Sequence, residues 1–335
     1  MKTKSRYWAI LSTLTILTFV TGCGTHSPSS QTNRSTVANP TSGTANVAYA
    51  GSLQLVNDQF IGPAFTKVTG IPYEGRGGGA LGVAHLIANN EISPNVFESI
   101  GTAPLEQMGA KTPKWAIGFA SSPLVIAYSP NSPFASKLQE IADDQKPLRN
   151  LFTLMEQPGF HLGRTNPATD PQGQAFILML KLAEKEFHLP SGTVQKIIGS
   201  YTNPKQLFAE EAILSRLQAG QLDATSAYLP EAIQHHLPFI RLPATINMGD
   251  PSDKTVYASV HMNINGKTIQ GKPIEIYITT VPGNPDQKAG EKFISFLLSK
   301  QGIKIYKKNG YSITPFQIWG NKQDIPASIH SEIQG

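Results

Sequence analysis

The chain alternates, from residue 46 onward, between short apolar segments that end in glycine and segments with helical periodicity. Residues 46–51 form one such apolar run, and residues 53–65 carry apolar side chains at helical spacing after it. The same alternation recurs at residues 96–108 and again at residues 160–183. Strands that alternate with helices are typical of parallel-type sheets, so the sequence predicts an α/β fold.

The length of the chain predicts two lobes rather than one sheet. About 310 residues follow Cys23, which is enough for two α/β lobes with cores of their own. Extended runs at residues 124–128 and 274–281 are suited to carry the chain between the lobes. We expect residues 46–126 and 276–335 to form lobe I and residues 127–275 to form lobe II. Two lobes joined by two crossings enclose a cleft, where a small ligand usually binds.

The N-terminal segment has the parts of an export signal. Three basic residues precede an apolar run at residues 7–20, and Thr21 and Gly22 then lead into Cys23, the only cysteine. The apolar run is short for a membrane span, which needs about 20 apolar residues. Small residues followed by cysteine resemble a bacterial lipobox, so we expect a signal peptide at residues 1–22 and a lipid on Cys23. The alternative is an ordinary signal peptide with a cysteine there by chance.

The composition of the chain after residue 22 agrees with export and lipid anchoring. Residues 23–45 are rich in Ser, Thr and Asn, which predicts a flexible tether to the extracytoplasmic face of the cell membrane. The net charge of +5 includes three basic residues of the signal, so the remainder is nearly neutral and does not indicate nucleic-acid binding. A lipid on Cys23 would leave no thiol, which excludes disulfides and cysteine nucleophiles.

Three predicted turns from strand to helix share a design that suits anions. They are Gly51-Ser52, Gly78-Gly79-Ala80 and Thr169-Asp170-Pro171. Backbone N–H groups at helix N-termini, together with the helix dipole, attract negative charge. Ordinary capping is the alternative for each turn, because Ser52 and Asp170 are also good N-cap residues.

Four segments resemble the molybdate/tungstate-binding proteins of ABC importers. Residues 163–173, Gly-Arg-Thr-Asn-Pro-Ala-Thr-Asp-Pro-Gln-Gly, resemble the central Asn-Pro-x-x-Asp-Pro-x-Gly signature of that family. Residues 48–53 resemble its opening, residues 125–128 its crossover strand, and residues 242–251 a further segment. The resemblance covers most of residues 46–315. It implies a two-lobed periplasmic-binding-protein fold of type II, with an oxyanion held between the lobes.

The resemblance also implies site residues. Ser52 matches a serine that binds the oxyanion, and Tyr228 matches a tyrosine whose hydroxyl reaches it. Asp170 matches a position that contacts the anion through its N–H or its carboxylate, and Ser121 or Ser122 lies where relatives offer a backbone N–H. We expect the Asp170 side chain to cap its helix, since a carboxylate about 4 Å from an anion costs about 4 kcal/mol at an effective dielectric of 20.

The chain departs from the family at two positions. The second serine of the family belongs near Gly79 or Ala80, neither of which has a hydroxyl, and the glutamate that some members carry before the tyrosine is Ala227 here.

Arg76 and Arg164 flank the predicted turns and are further candidates for anion contact, because arginine binds oxyanions with two parallel hydrogen bonds. A solvent-facing or salt-bridged arginine is the alternative for both.

These observations predict a monomeric solute-binding lipoprotein that delivers molybdate or tungstate to an ABC permease. No nucleophile, acid–base or metal-binding motif is recognisable, so we expect neither catalysis nor a cofactor nor a bound metal ion. The departures leave a second hypothesis open, in which the same fold binds sulfate, phosphate, a small organic anion or a metal complex. A sensory receptor and, less favoured, an exported enzyme are the remaining alternatives.

Overall fold

The computed structural model describes residues 43–333. The predicted signal peptide, Cys23 and most of the predicted tether lie outside the described residues. The described part begins close to the first strand, because Ala45 is already its first residue. No helix in this part is both long enough and apolar enough to cross a bilayer.

The described residues form twelve strands. They are β1 Ala45–Ala50, β2 Tyr73–Gly78, β3 Val96–Ile100, β4 Trp115–Ser121, β5 Leu124–Tyr128, β6 Leu162–Gly163, β7 Ala224–Tyr228, β8 Phe239–Arg241, β9 His261–Ile264, β10 Lys267–Gln270, β11 Glu275–Thr280 and β12 Ser312–Gly320.

The α-helices of this part are α1 Gln54–Val56, α2 Gly62–Thr69, α3 Ala80–Ala88, α4 Ala103–Glu106, α5 Ala135–Ala142, α6 Arg149–Met155, α7 Pro171–Glu186, α8 Thr193–Ile198, α9 Glu210–Gln218, α10 Leu229–Gln234, α11 Ala244–Asn247, α12 Lys254–Tyr257, α13 Gln287–Leu298, α14 Lys300–Lys308 and α15 Ala327–Ile333. Short 3₁₀ turns lie at Gly51–Leu53, Gly109–Lys111, Pro251–Asp253 and Lys322–Asp324, and a π-helical turn at Asn57–Ile61.

The first lobe is built on a six-stranded sheet in the order β12-β4-β11-β3-β1-β2. β1 pairs in parallel with β2 and β3, as expected for strands joined by helices. β11 returns antiparallel between β3 and β4, and β12 is antiparallel to β4. The sheet is therefore mixed rather than purely parallel, because β11 and β12 run opposite to the other four strands.

The second lobe contains a four-stranded sheet in the order β6-β7-β5-β8 and the separate hairpin of β9 and β10. The chain passes from the first sheet to the second between β4 and β5, at Ser122 and Pro123. It returns just before β11, and the two crossings touch where the Ser122 N–H donates to the Ile274 carbonyl at 3.1 Å. The predicted two-lobed α/β architecture is thus present, while the proposed residue boundaries of the lobes stay a prediction.

Two local predictions were wrong in detail, and a third is confirmed. Ser52 is not an N-cap, since a 3₁₀ turn begins at Gly51 and no side chain caps it. The apolar spacing of residues 203–220 predicts one helix, but α9 begins only at Glu210, because residues 200–206 form turns instead. The predicted turn from strand to helix at residues 78–80 is present, since β2 ends at Gly78 and α3 begins at Ala80.

Candidate functional site between the lobes

Ser52 lies at the end of β1, where the chain turns into its first helical segment. The Gly51–Leu53 turn is buried, and Ser52 is only 6% exposed. Its carbonyl accepts a 3.2 Å hydrogen bond from the Tyr311 hydroxyl. Its own hydroxyl has no hydrogen-bond partner among the described residues. A buried hydroxyl without a partner costs about 1–3 kcal/mol, so this group is suited to meet a ligand.

In the second lobe, Tyr228 also carries a buried hydroxyl at the end of a strand. It is the last residue of β7, is fully buried, and its hydroxyl also lacks a partner in the described part of the chain. Burial, reinforced by the negative charges of Asp170, Glu210 and Glu231, holds the pKa of Tyr228 well above its usual value. The hydroxyl is therefore neutral at physiological pH and can donate a hydrogen bond.

Glu231 connects Tyr228 to the cleft. Its carboxylate accepts the Tyr228 backbone N–H at 2.7 Å and the Gln172 side-chain amide at 2.9 Å. It also lines, with Ser52 and Glu210, a cavity of about 260 Å³. Ser52 of the first lobe and two acids of the second therefore line one cavity, whereas Tyr228 lines a separate cavity of about 50 Å³ with Pro171 and Ile274.

Asp170 caps α7, as predicted. Its carboxylate accepts the Gln172 N–H at 2.7 Å, and Pro171 is the first helical residue. The Asp170 N–H donates in turn to the Asn166 carbonyl at 2.9 Å. The N–H groups of Asp170 and Gln172 are thus both engaged within their own lobe, so α7 offers an anion fewer backbone donors than its position predicts.

Gly79 lies directly against the signature segment. A Cβ atom at this position would be 3.0 Å from the Thr169 carbonyl oxygen and 3.3 Å from an Asp170 carboxylate oxygen. The neighbouring helix is held to the same segment, because the Gly82 N–H donates to the Thr169 carbonyl at 3.1 Å. A side chain at position 79 would therefore require the signature segment to shift slightly. Ala80, the next residue, is fully buried and begins α3.

The serines at the end of β4 differ from each other in their surroundings. Ser121 is paired within the six-stranded sheet, opposite Glu275 and Ser312. Ser122 follows the strand, and its N–H is already donated to the Ile274 carbonyl at 3.1 Å. Its buried hydroxyl has no partner within the described residues. The hydroxyl of Ser122, rather than its N–H, is therefore the group with unused hydrogen-bonding capacity.

The two candidate arginines have different environments. Arg164 is fully buried, and its guanidinium donates to the carbonyls of Ser200 and Tyr201 and to the side chain of Gln206, at 2.7–3.0 Å. These bonds hold residues 200–206 in place. Arg76 lies exposed on the edge strand β2. We therefore omit Arg164 from the proposed site and keep Arg76 only as a prediction.

The structure adds two residues that sequence reasoning missed. Thr165 is buried with an unpartnered hydroxyl, and it lines a second cavity of about 410 Å³ together with Gly79, Asp170 and Glu210. Thr165 belongs to the signature segment, so a signal for it existed. Glu210 lines both cavities, but nothing pointed to it because it was expected in the middle of a helix.

Neither of these two cavities has a lysine or arginine among the described residues that line it. Nor does the described part of the chain contain a group of three or more His, Cys, Asp or Glu residues arranged to hold a metal ion. A larger cleft of about 660 Å³ lies beside β8 in the second lobe, and none of the predicted site residues lines it.

Comparison with known proteins identifies the family. Residues 45–312 match the family of bacterial extracellular solute-binding proteins. The chain belongs to this family. An uncharacterized solute-binding protein of Saccharolobus solfataricus is 30% identical over 300 residues, which cover 84% of this chain and 73% of that protein.

Two further relatives are named for the anions that they bind. The molybdate/tungstate-binding protein WtpA of Pyrococcus abyssi is 28% identical over 237 residues, covering 64% of this chain and 66% of that one. The periplasmic molybdate-binding protein of Azotobacter vinelandii superposes with a TM-score of 0.56 at 17% identity, over 80% of this chain and 98% of that one. The latter likeness confirms the two-lobed periplasmic-binding-protein fold of type II. The predicted family resemblance is confirmed as well.

Proposed function

We propose that this solute-binding protein holds a molybdate- or tungstate-type oxyanion between its lobes and delivers it to an ABC permease. The observation that carries the proposal is the pair of buried hydroxyls of Ser52 and Tyr228, which come from different lobes and lack partners among the described residues. Oxygen atoms of a bound anion would accept both hydrogen bonds, and a ligand held from two sides favours the closed arrangement of the lobes.

The further parts of the proposal concern the remaining donors and the location. Ser122 and Thr165 add two more buried hydroxyls without partners in the described part of the chain. Neutral hydroxyl donors suit a transport receptor, because the anion must leave again.

We further propose that the chain is lipid-anchored through Cys23 at the extracytoplasmic face of the membrane, that it acts as a monomer and that it catalyses no reaction.

Thermal unfolding with a series of anions tests the ligand. The chain from residue 23, carrying Cys23→Ser to prevent lipidation, is melted with molybdate, tungstate, sulfate and phosphate in turn. A ligand at 100 times its dissociation constant stabilises the folded state by about 2.7 kcal/mol. For a chain of this size we expect a rise in Tm of several degrees with molybdate or tungstate. No shift with either anion contradicts the proposal.

A protonated oxyanion such as hydrogen phosphate is the second candidate ligand. Carboxylates of Asp170, Glu210 and Glu231 border the two cavities, and a carboxylate oxygen accepts a hydrogen bond from an anion that carries an O–H. Sulfate lacks such a proton at neutral pH. Stabilisation by phosphate, without any by molybdate, tungstate or sulfate, would favour this candidate.

A further inference from the structure

Glu98 is a buried acid outside the proposed site. It lies on β3 at the centre of the six-stranded sheet and is fully inaccessible to solvent. The Asn57 side-chain amide donates to one of its carboxylate oxygens at 2.8 Å, and the Tyr306 hydroxyl donates to the other. Burying an ionisable group is costly, so its position invites a functional explanation.

The hydrogen-bond network of Glu98 reaches the turn that contains Ser52. The same amide nitrogen of Asn57 also donates to the Leu53 carbonyl at 3.1 Å. The ring of Tyr306 packs 4.8 Å from that of Tyr311, whose hydroxyl donates to the Ser52 carbonyl. Two consecutive carbonyls of the turn are thus held by residues that bind or pack around this network.

The tyrosines around Glu98 stay neutral. The charge of Glu98 acts on Tyr49, Tyr73, Tyr306 and Tyr311. The elements packed against β3 or against its carboxylate also carry charged residues, including Glu275 on β11, Lys288, Glu291 and Lys292 on α13, and Lys300, Lys304, Lys307 and Lys308 on α14. Burial raises the pKa of each of these tyrosines, so none ionises near neutral pH. Asp58 accepts hydrogen bonds from the hydroxyls of Tyr49 and Tyr73. Burial raises the pKa of Glu98 itself to about 7, although its two donors lower it.

We propose that Glu98 is a positioning residue for the Ser52 turn and takes up a proton when an anion binds there. The inference rests on the proposed function. A bound anion and an ionised Glu98 repel each other across an interior that screens charge poorly, so binding favours the neutral acid. Linkage then requires the converse, that protonation of Glu98 strengthens anion binding.

Calorimetry on the Cys23→Ser chain from residue 23 measures the coupling directly. Molybdate is titrated at pH 7.5 in two buffers of different ionisation enthalpy, which gives the number of protons exchanged on binding. A rise of one unit in the pKa of Glu98 corresponds to uptake of roughly half a proton per anion. No proton exchange in the wild type overturns the inference, whether or not any variant folds.

The pH dependence of affinity assigns the proton to Glu98. Between pH 8 and pH 6 we expect the wild-type affinity for molybdate to rise roughly fivefold, which is most of the tenfold effect of a one-unit change in pKa. Glu98→Gln removes the ionisable group, so its affinity stays level. Comparison of the two proteins cancels any titration of the anion itself, and parallel pH profiles overturn the inference.

Tyrosine variants separate the positioning role from general damage. Tyr306→Phe removes a donor that lowers the pKa of Glu98, so the midpoint of the pH profile moves to higher pH. Tyr311→Phe loses the bond to the Ser52 carbonyl and weakens binding without moving the midpoint. The matched control, Tyr257→Phe, alters a buried tyrosine of the second lobe, bonded to the Ala244 carbonyl, and changes neither quantity.

The proposed function and the inference about Glu98 would be contradicted by different results. If the wild type binds none of the four anions at any pH, the proposed function fails and the inference fails with it. If the wild type binds an anion but its affinity depends on pH in the same way as that of Glu98→Gln, only the inference fails.

Discussion

The carboxylate of Asp170 lies 2.7 Å from the backbone nitrogen of Gln172, whose N–H it accepts. The helix that it caps, α7, is 16 residues long and mostly buried. The carboxylate therefore satisfies a backbone donor of its own helix, as the sequence predicted. This bond sets a limit on how Asp170 can take part in anion binding.

The first prediction separates capping from ligand contact at Asp170. Asp170→Asn keeps an oxygen that can cap α7, so the free energy of unfolding changes little, whereas Asp170→Ala lowers it by about 1 kcal/mol. Because Asn carries no charge, its affinity for molybdate equals or exceeds that of the wild type. Urea unfolding and calorimetry measure the two quantities. A tenfold or greater loss of affinity in Asp170→Asn would show that the carboxylate contacts the anion.

The second prediction concerns the two unpartnered hydroxyls. Ser52→Ala and Tyr228→Phe each remove a donor to the anion, and we expect each to weaken affinity by about 5- to 150-fold, or 1–3 kcal/mol. Neither lowers the stability of the ligand-free protein, because neither hydroxyl has a partner to lose among the described residues. Tyr257→Phe is the matched control with the opposite pattern, lower stability and unchanged affinity. Unchanged affinity in both site variants would place the site elsewhere.

The third prediction uses Gly79 as a probe of lobe closure. Gly79→Ala brings a methyl group to 3.0 Å from the Thr169 carbonyl oxygen, tight enough to push the two segments apart. We expect weaker anion binding by roughly tenfold or more, a cost typical of overpacking. Gly82→Ala is the control, because its added carbon would be 4.0 Å from the same oxygen. Equal affinities in the two variants would contradict the importance of this contact.

The fourth prediction is the pH dependence of stability without ligand. The pKa of Glu98 is about 7 in the folded protein, above its ordinary value of 4.5. The stability that this group contributes is therefore fully present below pH 4.5 and is lost as the pH rises through 7, by up to roughly 3 kcal/mol. Urea unfolding from pH 4.5 to 8 measures the loss. In Glu98→Gln this contribution to the pH dependence of the free energy of unfolding is absent. The same pH dependence in the variant and the wild type would show that Glu98 does not titrate in this range.

The fifth prediction treats the two arginines as opposites. Arg164→Ala removes a fully buried side chain and leaves three oxygen acceptors of partly buried hydrogen bonds without their donor, so we expect severe destabilisation. Arg76→Ala changes an exposed residue and leaves stability within about 0.5 kcal/mol. A clear loss of anion affinity in Arg76→Ala would assign this arginine to the site.

The sequence predicted those features of the fold that depend on local pattern. Strand and helix periodicity led to the α/β class, and Asp170-Pro171 marked the start of α7 correctly because capping depends on adjacent residues. The turn from strand to helix at residues 78–80 was predicted correctly, but not the extension of β2 through the preceding glycines, which depends on pairing with β1. The turns at residues 200–206 were missed, because they are stabilised by Arg164, a residue distant in sequence.

The candidate site, like the fold, could be predicted from the sequence only in part. Ser52 and Asp170 were predicted because they lie in segments that resemble the family, and Tyr228 because it matches a tyrosine of the family. By itself, the sequence determined the family and the residue types available for binding an anion. Only the tertiary structure decided which groups are used: it engages the N–H groups of Asp170 and Ser122, and it brings Glu210 to both cavities. Hydrogen bonding and burial depend on contacts between distant segments, which no local pattern encodes.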